Sequence, residues 1–558
     1  MLKQISPRHR RPVWAASVLV ALAWCGVVAS PADAAEAEAR VIVKFKADST
    51  LMRAQSASGV QSAPQHAQAL SARLGLSLTD GRAIASRLQL VKGTGLSSQE
   101  LANRLAAQSD VEYAVVDGRQ RALVAPNDPL YGTQTGAVTP AAGQWYLQTP
   151  GTTLVSAINA EAAWTVTTGV SSIVVADLDT GVRFDHPDLT SKLLTGYDFI
   201  HDAGTANDGD ARDADASDPG DYVTSADVGV VAGCTSSDIA NSSWHGTETA
   251  GVIGAATNNG VGMASIGRDV MVLPLRVLGR CGGYDSDILA AMYYAGGLTN
   301  ATYTSGLPAN PNTARVINMS LGSAGTCSTA YQDAVNQLTA ASVVVVVSAG
   351  NDGLTVGTPA NCSGVIAVAG VRHSGTKVGY SDLGTAVTIS APAGNCVNLT
   401  GTCLYPILTT SNTGTTTPVA GAAGAKYTGG GSDASLGTSF SAPLVSGTVA
   451  LMLSANAALT PAQVISALKS TARAFPSTGA ATGVTACTAP TSVAQSSECY
   501  CTTTTCGAGM LDAGLAVAAA ATPTSSSGGG GAMQLGWLLG WLASVIGVWA
   551  VTPRQRRR

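Results

Sequence analysis

Short apolar runs, rich in β-branched residues and bounded by glycine or polar residues, recur along the chain from residue 127 onward. Runs of this length and composition are typical of strands buried on both faces of a parallel sheet. Helices are predicted between them, for example at 286–296 and 330–341. This alternation predicts an α/β fold, a doubly wound and mostly parallel sheet with helices on both faces, whose sites form at the carboxyl ends of the strands. The five runs are 173–176, 270–275, 316–319, 343–347 and 365–368.

A different pattern occupies residues 35–125. Residues 40–46 alternate as a half-buried strand does, residues 98–107 have the periodicity of a short helix, and residues 111–117 form a second strand-like run. The pattern predicts a small α+β domain ahead of a larger domain over residues 126–522.

Both ends of the chain carry apolar segments. Basic residues precede an apolar run at 13–29 and small residues at 32–34, which predicts a secretory signal peptide over residues 1–34, with a transmembrane anchor as the alternative. A Ser/Gly linker at 523–531 precedes about twenty mostly apolar residues, enough to span a bilayer, and a basic tail. Residues 532–558 resemble the Gly-Gly C-terminal sorting signals of exported Gram-negative proteins, whose tails are cut off at the envelope. A permanent membrane anchor is the alternative.

Composition narrows the class of protein. Hydrophobic residues make up 46% of the chain and charged residues 12%, with a net charge of −4, which excludes a mainly disordered chain. The absence of a basic excess gives no support for a nucleic-acid partner. The chain has 11 cysteines, and removal of a signal peptide containing Cys25 would leave an even number, which in an exported protein indicates disulfides.

Three junctions between predicted elements hold the residues that acyl-transfer chemistry needs. Asp179 ends a strand, His245 begins an apolar helix, and Ser439 begins another helix whose first turn contains Pro443. Backbone amides at a helix N-terminus favour developing negative charge, so Ser439 is placed where a nucleophile would benefit. Asp177, two residues earlier, competes with Asp179 for the role of the acidic residue.

These motifs, in the chain order Asp, His, Ser, resemble those of the subtilisin-like serine proteases (subtilases) over roughly residues 127–520. The resemblance implies that Asp179 orients the base, His245 is the general base and Ser439 is the nucleophile. It assigns the oxyanion hole to Asn351, in the segment Ser-Ala-Gly-Asn. The implied activity is that of a serine endopeptidase, and the competing class is a catalytically inactive relative that binds peptides. An α/β-hydrolase esterase would need a G-x-S-x-G motif and the order Ser, Asp, His, and the sequence has neither.

The resemblance also implies a substrate-binding region. Ser320, Leu321 and Gly322 match the segment that flanks the family's primary specificity pocket, and Gly282 and Gly283 fall where substrate backbone pairs as an added strand. Main-chain pairing is largely independent of sequence, so extended polypeptides are the expected substrates.

A segment rich in aspartate suggests a structural calcium ion, which takes six to eight oxygen ligands. A solvated acidic loop is the alternative. Asp188 also matches a calcium-ligand position of several subtilases, but the loop at 258–260 is too short to complete that site. The candidate ligands in the acidic segment are Asp208, Asp210, Asp213, Asp215 and Asp218.

One departure from the family motif lies next to the predicted base. Glu248 replaces a histidine that is usual there, one turn from His245, where it could alter the environment of the base or serve helix packing.

Sequence order and the family suggest three disulfides, Cys234–Cys281, Cys327–Cys362 and Cys396–Cys403. The last four cysteines (Cys487, Cys499, Cys501 and Cys506) have three possible connectivities.

The family further implies that residues 35–125 are a pro-domain acting as intramolecular inhibitor and folding chaperone, cut off between Arg121 and Asn127. We expect a monomer, exported to the outside or the surface of a Gram-negative bacterium. A sorting protease of the envelope is an expected partner of the C-terminal segment.

Overall fold

The computed structural model describes residues 38–53, 63–117, 125–132, 142–394, 404–429, 433–480 and 482–522. The chain divides into two compact units, residues 1–122 and 123–558. The predicted signal peptide, the Ser/Gly linker and the segment 532–558 lie outside the described residues and remain predictions.

The described part of the N-terminal unit contains a four-stranded antiparallel sheet and two complete helices, together with helical residues 50–53. Its strands lie in the order β2-β3-β1-β4. Every second residue of β1 is buried, as the alternation of residues 40–46 indicated, and these side chains pack on the second helix. The elements are β1 Ala39–Phe45, α1 Ala63–Leu74, β2 Leu78–Ala85, β3 Leu88–Gly93, α2 Ser98–Ala106 and β4 Val111–Val116.

The second unit is built on a seven-stranded sheet in the order β11-β10-β9-β8-β5-β7-β6. All of its strand pairings are parallel, and β5 and β7 to β11 are almost wholly buried. The predicted mostly parallel, doubly wound sheet is therefore confirmed. Its strands are β5 Val174–Asp179, β6 Tyr197–Asp198, β7 Met271–Arg276, β8 Val316–Met319, β9 Val344–Ser348, β10 Ile366–Val371 and β11 Ile389–Pro392, with a separate hairpin of β12 Thr410–Asn412 and β13 Ala425–Tyr427.

Helices cover both faces of the sheet because successive strand residues point to opposite sides. In β5, Val175 packs in one core with α5 and α8, whereas Ala176 and Leu178 pack in a second core with α6 and α7. The helices are α3 Ala160–Val166, α4 Ala203–Ala206, α5 His245–Gly254, α6 Asp285–Ala295, α7 Thr329–Ala340, α8 Thr438–Ala455, α9 Pro461–Thr471 and α10 Ala513–Ala521.

Helix α8 runs through the first of these cores. Within the described residues it is the one helix long and apolar enough to cross a membrane, but 83% of that stretch is buried inside the protein. Its apolar character is therefore that of a core helix.

Four disulfides tie the described part of the second unit. Two of them, Cys234–Cys281 and Cys327–Cys362, confirm the predicted pairs. Cys487 pairs with Cys499 and Cys501 with Cys506, which resolves the connectivity that the sequence left open. The predicted Cys396–Cys403 pair lies outside the described residues.

Candidate active site

The aspartate at the end of β5 faces the histidine that begins α5. His245 Nδ1 lies 2.8 and 2.9 Å from the two carboxylate oxygens of Asp179. Asp177 instead accepts hydrogen bonds from Thr249 and Asn318. The structure therefore pairs the histidine with Asp179, the residue that the motif favours over Asp177.

A glycine makes this close pairing of strand and helix feasible. Gly246 follows His245 at the start of α5, and a Cβ atom there would lie 2.2 Å from the carbonyl oxygen of Gly181, in the turn after Asp179. Any larger residue would push the histidine away from its carboxylate.

The charge of the imidazole depends on opposing effects. Burial lowers the pKa of His245, while the charge of Asp179 and the hydrogen bond to it raise that pKa, and the net result lies above the usual value. The site thus stabilises the imidazolium that forms when the histidine accepts a proton.

Ser439 is the second residue of α8 and is 8% exposed. Its Oγ lies 3.4 Å from the carbonyl oxygen of Ser320, just past the end of β8, and the Oγ of Ser320 donates to the carbonyl of Ser439 at 2.7 Å. The ring of the next residue, Phe440, lies 5.7 Å from the ring of His245. The serine is therefore held between the predicted substrate-binding segment and the helix that carries the histidine.

The side chain of Asn351 is oriented by the residue before the serine. Its Oδ1 accepts hydrogen bonds from the backbone N–H and the hydroxyl of Thr438, at 2.9 and 3.0 Å. Because the oxygen is engaged in this way, Nδ2 is the end of the amide that serves as a donor for another group. Asn351 and Ser439 line the same cavity.

That cavity has a volume of about 300 Å³. The predicted residues Ser320, Leu321 and Gly322 form part of its wall. Sequence reasoning missed Asp382, which also lines it and accepts the backbone N–H groups of Asp352 and Leu354. Asp382 thereby holds the loop after Asn351, a role that only contacts between distant segments reveal.

Gly282 and Gly283 lie elsewhere, in a tight turn after β7. The N–H of Gly279 donates to the carbonyl of Gly282, and Cys281 within this turn is bonded to Cys234. Gly282 has a φ of +99° and open space where a side chain would project. At Gly283, in contrast, an added Cβ would lie 2.0 Å from the carbonyl oxygen of Val277, and the pairing of either glycine with substrate stays a prediction.

Glu248 is buried on α5 with both carboxylate oxygens bonded. Ser435 and Ser411 donate their hydroxyl groups to it at 2.8 and 3.1 Å. Burial raises its pKa to about 7, against the smaller effects of these bonds. Glu248 therefore joins α5 to the segments before α8 and in β12, and its charge also raises the pKa of His245, so the structure supports both alternatives named for it.

The aspartates proposed as calcium ligands do not converge. Asp208 pairs with the buried Arg276 at 2.8 Å, and Asp213, Asp215 and Asp218 each accept the N–H of the residue two positions later. Among the described residues, the one group of three potential ligands within 4.8 Å is Cys487, Cys501 and Cys506, all in disulfides. The expected calcium ligands, which also included Asp210, therefore do not form a converging set among the described residues, and a calcium ion there stays a prediction.

Asp188, the other family calcium position, is also bonded within the protein. It accepts hydrogen bonds from the N–H of Met263, from Asn259 Nδ2 and from the hydroxyl of Tyr427, at 2.8, 2.8 and 2.9 Å. Both carboxylate oxygens of Asp188 thus accept hydrogen bonds from within the protein.

Comparison with known proteins agrees with this geometry. The sequence model of the Subtilase family matches residues 171–499. An extracellular protease of Xanthomonas campestris is 40% identical over 492 residues, which are 87% of this chain and 73% of that protein. An extracellular basic protease of Dichelobacter nodosus is 35% identical over 66% of this chain and 56% of its own length.

A solved structure supports the same relationship. A protease of Pseudoalteromonas arctica superimposes with a TM-score of 0.57 at 39% identity, over 71% of this chain and 99% of that protein. A family match over more than half of the chain, joined to the parallel sheet and the paired histidine and aspartate, leads to one conclusion. This chain belongs to the subtilase family of serine endopeptidases.

Proposed function

We propose that the chain is a secreted endopeptidase that cleaves extended polypeptides through Asp179, His245 and Ser439. The observation that carries the proposal is the contact of His245 Nδ1 with both oxygens of Asp179, at 2.8 and 2.9 Å. This contact fixes the tautomer in which Nε2 is the basic nitrogen.

The reaction follows from these positions. Ser439 Oγ attacks the scissile carbonyl while its proton passes to Nε2 of His245. Asn351 Nδ2 and the backbone N–H of Ser439 donate to the resulting oxyanion. The imidazolium then protonates the leaving amine, and water deacylates the enzyme by the same steps, with His245 as base.

The cavity beside Ser439 supports binding of one substrate side chain. Its wall follows the end of β8, and at Gly322 an added Cβ would lie 3.0 Å from the carbonyl of Thr358. Gly322 is exposed and has no side chain, which leaves its backbone groups available to an extended peptide.

Secretion and self-processing form the second part of the proposal. The relatives in Xanthomonas and Dichelobacter are named extracellular proteases, and the predicted signal peptide agrees with export. The four-stranded N-terminal unit is the proposed pro-domain, inhibitor and folding chaperone, and the proposed cut falls between Arg121 and Asn127. The C-terminal segment 532–558 is the proposed signal for envelope sorting.

Replacement of Ser439 by alanine tests the proposal. We expect casein hydrolysis to fall by about six orders of magnitude, the size of the effect in subtilisin itself. Intact-mass analysis should show a precursor that stays uncut near residue 125.

Ser454→Ala is the matched control, because Ser454 lies on the same helix but bonds to the carbonyl of Ala450, one turn earlier. It should mature and cleave casein normally. A Ser439→Ala precursor that still matures by itself and degrades casein would overturn the mechanism, whereas a folded wild-type protein without activity would favour the inactive peptide-binding alternative.

A further inference from the structure

A second carboxylate is buried behind the paired aspartate and histidine. Asp177 lies two positions before Asp179 in β5, so both side chains lie on the face of the sheet that α5 and α8 cover. It is 2% exposed, at a position between apolar neighbours where the strand pattern predicts an apolar residue. A charge buried at such a position is costly unless its hydrogen bonds are satisfied.

Asp177 bonds to two neighbouring elements. The hydroxyl of Thr249, one turn after His245 in α5, donates to its Oδ2 at 2.8 Å. Asn318 Nδ2, in β8, donates to its Oδ1 at 2.8 Å. The same carboxylate therefore joins the strand of Asp179 to the helix of His245.

The connection continues to the nucleophile through Asn318. The hydroxyl of Ser446, on the same helix as Ser439, donates to Asn318 Oδ1 at 2.8 Å. Asn318 Nδ2 also lies 3.0 Å from Ser320 Oγ, which in turn donates to the carbonyl of Ser439. Asp177 is thus at the centre of a network that reaches the elements carrying all three residues of the proposed triad.

The charged groups that face Asp177 belong to the same site. They are Asp179, on its own strand, and His245, at the start of α5. The bonded partners from β8 and α8 are the neutral Asn318 and Ser446, and the residue opposite it in β7 is Pro274. His245 additionally faces Glu248, from its own helix.

We propose, on the basis of the triad assigned above, that Asp177 is a positioning residue: it ties the strand of Asp179 to the helix of His245, and its charge adds to those of Asp179 and Glu248 in stabilising the imidazolium of His245. When ionised it stabilises the imidazolium, and when protonated it does not. Burial and the charge of Asp179 raise the pKa of Asp177 to about 7, so its charge changes close to neutral pH.

The test is the pH profile of kcat/KM for Asp177→Asn, measured with a peptide substrate. The asparagine can accept from Asn318 and donate to Thr249, so the network is kept while the charge is lost. The charge of Asp179, then that of Glu248 and then that of Asp177 raise the pKa of His245 in the native protein, so loss of the Asp177 charge lowers this pKa by part of the total. The acidic limb of the kcat/KM profile reports protonation of the base, His245. We expect this limb to move to lower pH by about half to one unit.

Asp188→Asn is the matched control. Asp188 is also a fully buried aspartate, bonded to three donors, and the charge that acts on it is that of Asp128. It should lower stability without moving the limb. The inference would be overturned if the acidic limb of Asp177→Asn lay at the same pH as in the wild type. It would also be overturned if Asp188→Asn moved the limb by as much as Asp177→Asn does.

If Asp177→Asn does not fold or mature, Thr249→Val is the second test of the inference. It keeps the carboxylate but removes one donor, which raises the pKa of Asp177 and makes it neutral over a wider pH range. The limb should move in the same direction by a smaller amount, and an unchanged limb counts against the inference. This test can fail separately from the proposed function. If Ser439→Ala is inactive but the acidic limb is unmoved in Asp177→Asn and Thr249→Val, the triad stands and only the role of Asp177 is rejected.

Discussion

At the scale of single residues, the orientation of Asn351 supports its proposed role as a donor to the oxyanion. Thr438 occupies the oxygen of the amide with two hydrogen bonds, so the nitrogen is presented on the other side. In the proposed role, this donor needs no rearrangement when negative charge develops, and pre-organised donors of this kind lower the barrier of the chemical step.

Asn351→Leu tests this role with a side chain of similar shape and no donor. We expect kcat for peptide hydrolysis to fall about 10²- to 10³-fold with little change in KM, because the contact is made to the oxyanion and not to the bound substrate. Steady-state kinetics at saturating substrate measures both constants. A higher KM with an unchanged kcat would show instead that Asn351 binds the substrate in its ground state.

The residues that the sequence could identify are those set by local motifs. Asp179, His245 and Ser439 each lie at a strand or helix terminus that a short pattern specifies. The roles of Asp382 and Asp177 could not be derived in this way. They depend on hydrogen bonds to residues 28 and 141 positions away, which no local pattern records.

At the scale of elements, helix α8 shows the same dependence on distant contacts. Gly447 lies in its interior, where alanine would ordinarily favour the helix by about 1 kcal/mol. However, a Cβ atom there would lie 2.1 Å from Cγ2 of Ile266. Packing against Ile266, and not helix propensity, therefore determines the residue at this position.

Gly447→Ala should destabilise the protein by about 1–3 kcal/mol, the usual cost of overpacking. In an Ile266→Ala background, where the clashing methyl group is gone, the same change should be neutral or stabilising. The comparison is made by urea unfolding of Gly447 and Gly447→Ala proteins, each with Ile266 and with Ile266→Ala. All four carry Ser439→Ala, which avoids self-digestion. Stabilisation by Gly447→Ala alone would contradict the packing argument.

The sequence predicted strands correctly where apolar runs are continuous. It was less informative where polar or glycine residues interrupt a strand, or where polar side chains hydrogen-bond to backbone amides. The runs at 316–319 and 343–347 appear as β8 and β9. The hairpin of β2 and β3 has no clear alternation, because polar and glycine residues interrupt its first strand. The acidic segment suggested ion ligands by composition alone, whereas its carboxylates form turns with their own backbone amides.

At the scale of the whole molecule, the disulfides close loops of very different length. Cys234 and Cys281 are separated by 47 residues, whereas Cys501 and Cys506 are separated by 5. A crosslink restricts the unfolded chain more when it closes a longer loop. The first bond should therefore contribute more to the free energy of unfolding.

Removal of the first pair as Cys234→Ala/Cys281→Ala should lower this free energy by about 4 kcal/mol, against about 2 kcal/mol for Cys501→Ala/Cys506→Ala. Denaturant titration of both variants in the Ser439→Ala background tests the order. Equal losses would show that local packing around the sulfur atoms, and not loop length, determines the contribution.

The long separations within the active site also bear on the order of events while the chain folds. Asp179 and His245 are 66 residues apart, and Ser320 and Ser439 are 119 apart. Contacts between positions this distant form late, since the entropy of closing long loops opposes them. A partly folded chain consequently lacks an assembled triad and cannot digest its neighbours. The proposed self-cleavage would therefore begin only after the strands and helices that carry these residues have come together, so a cut precursor would mark a chain whose active site has folded.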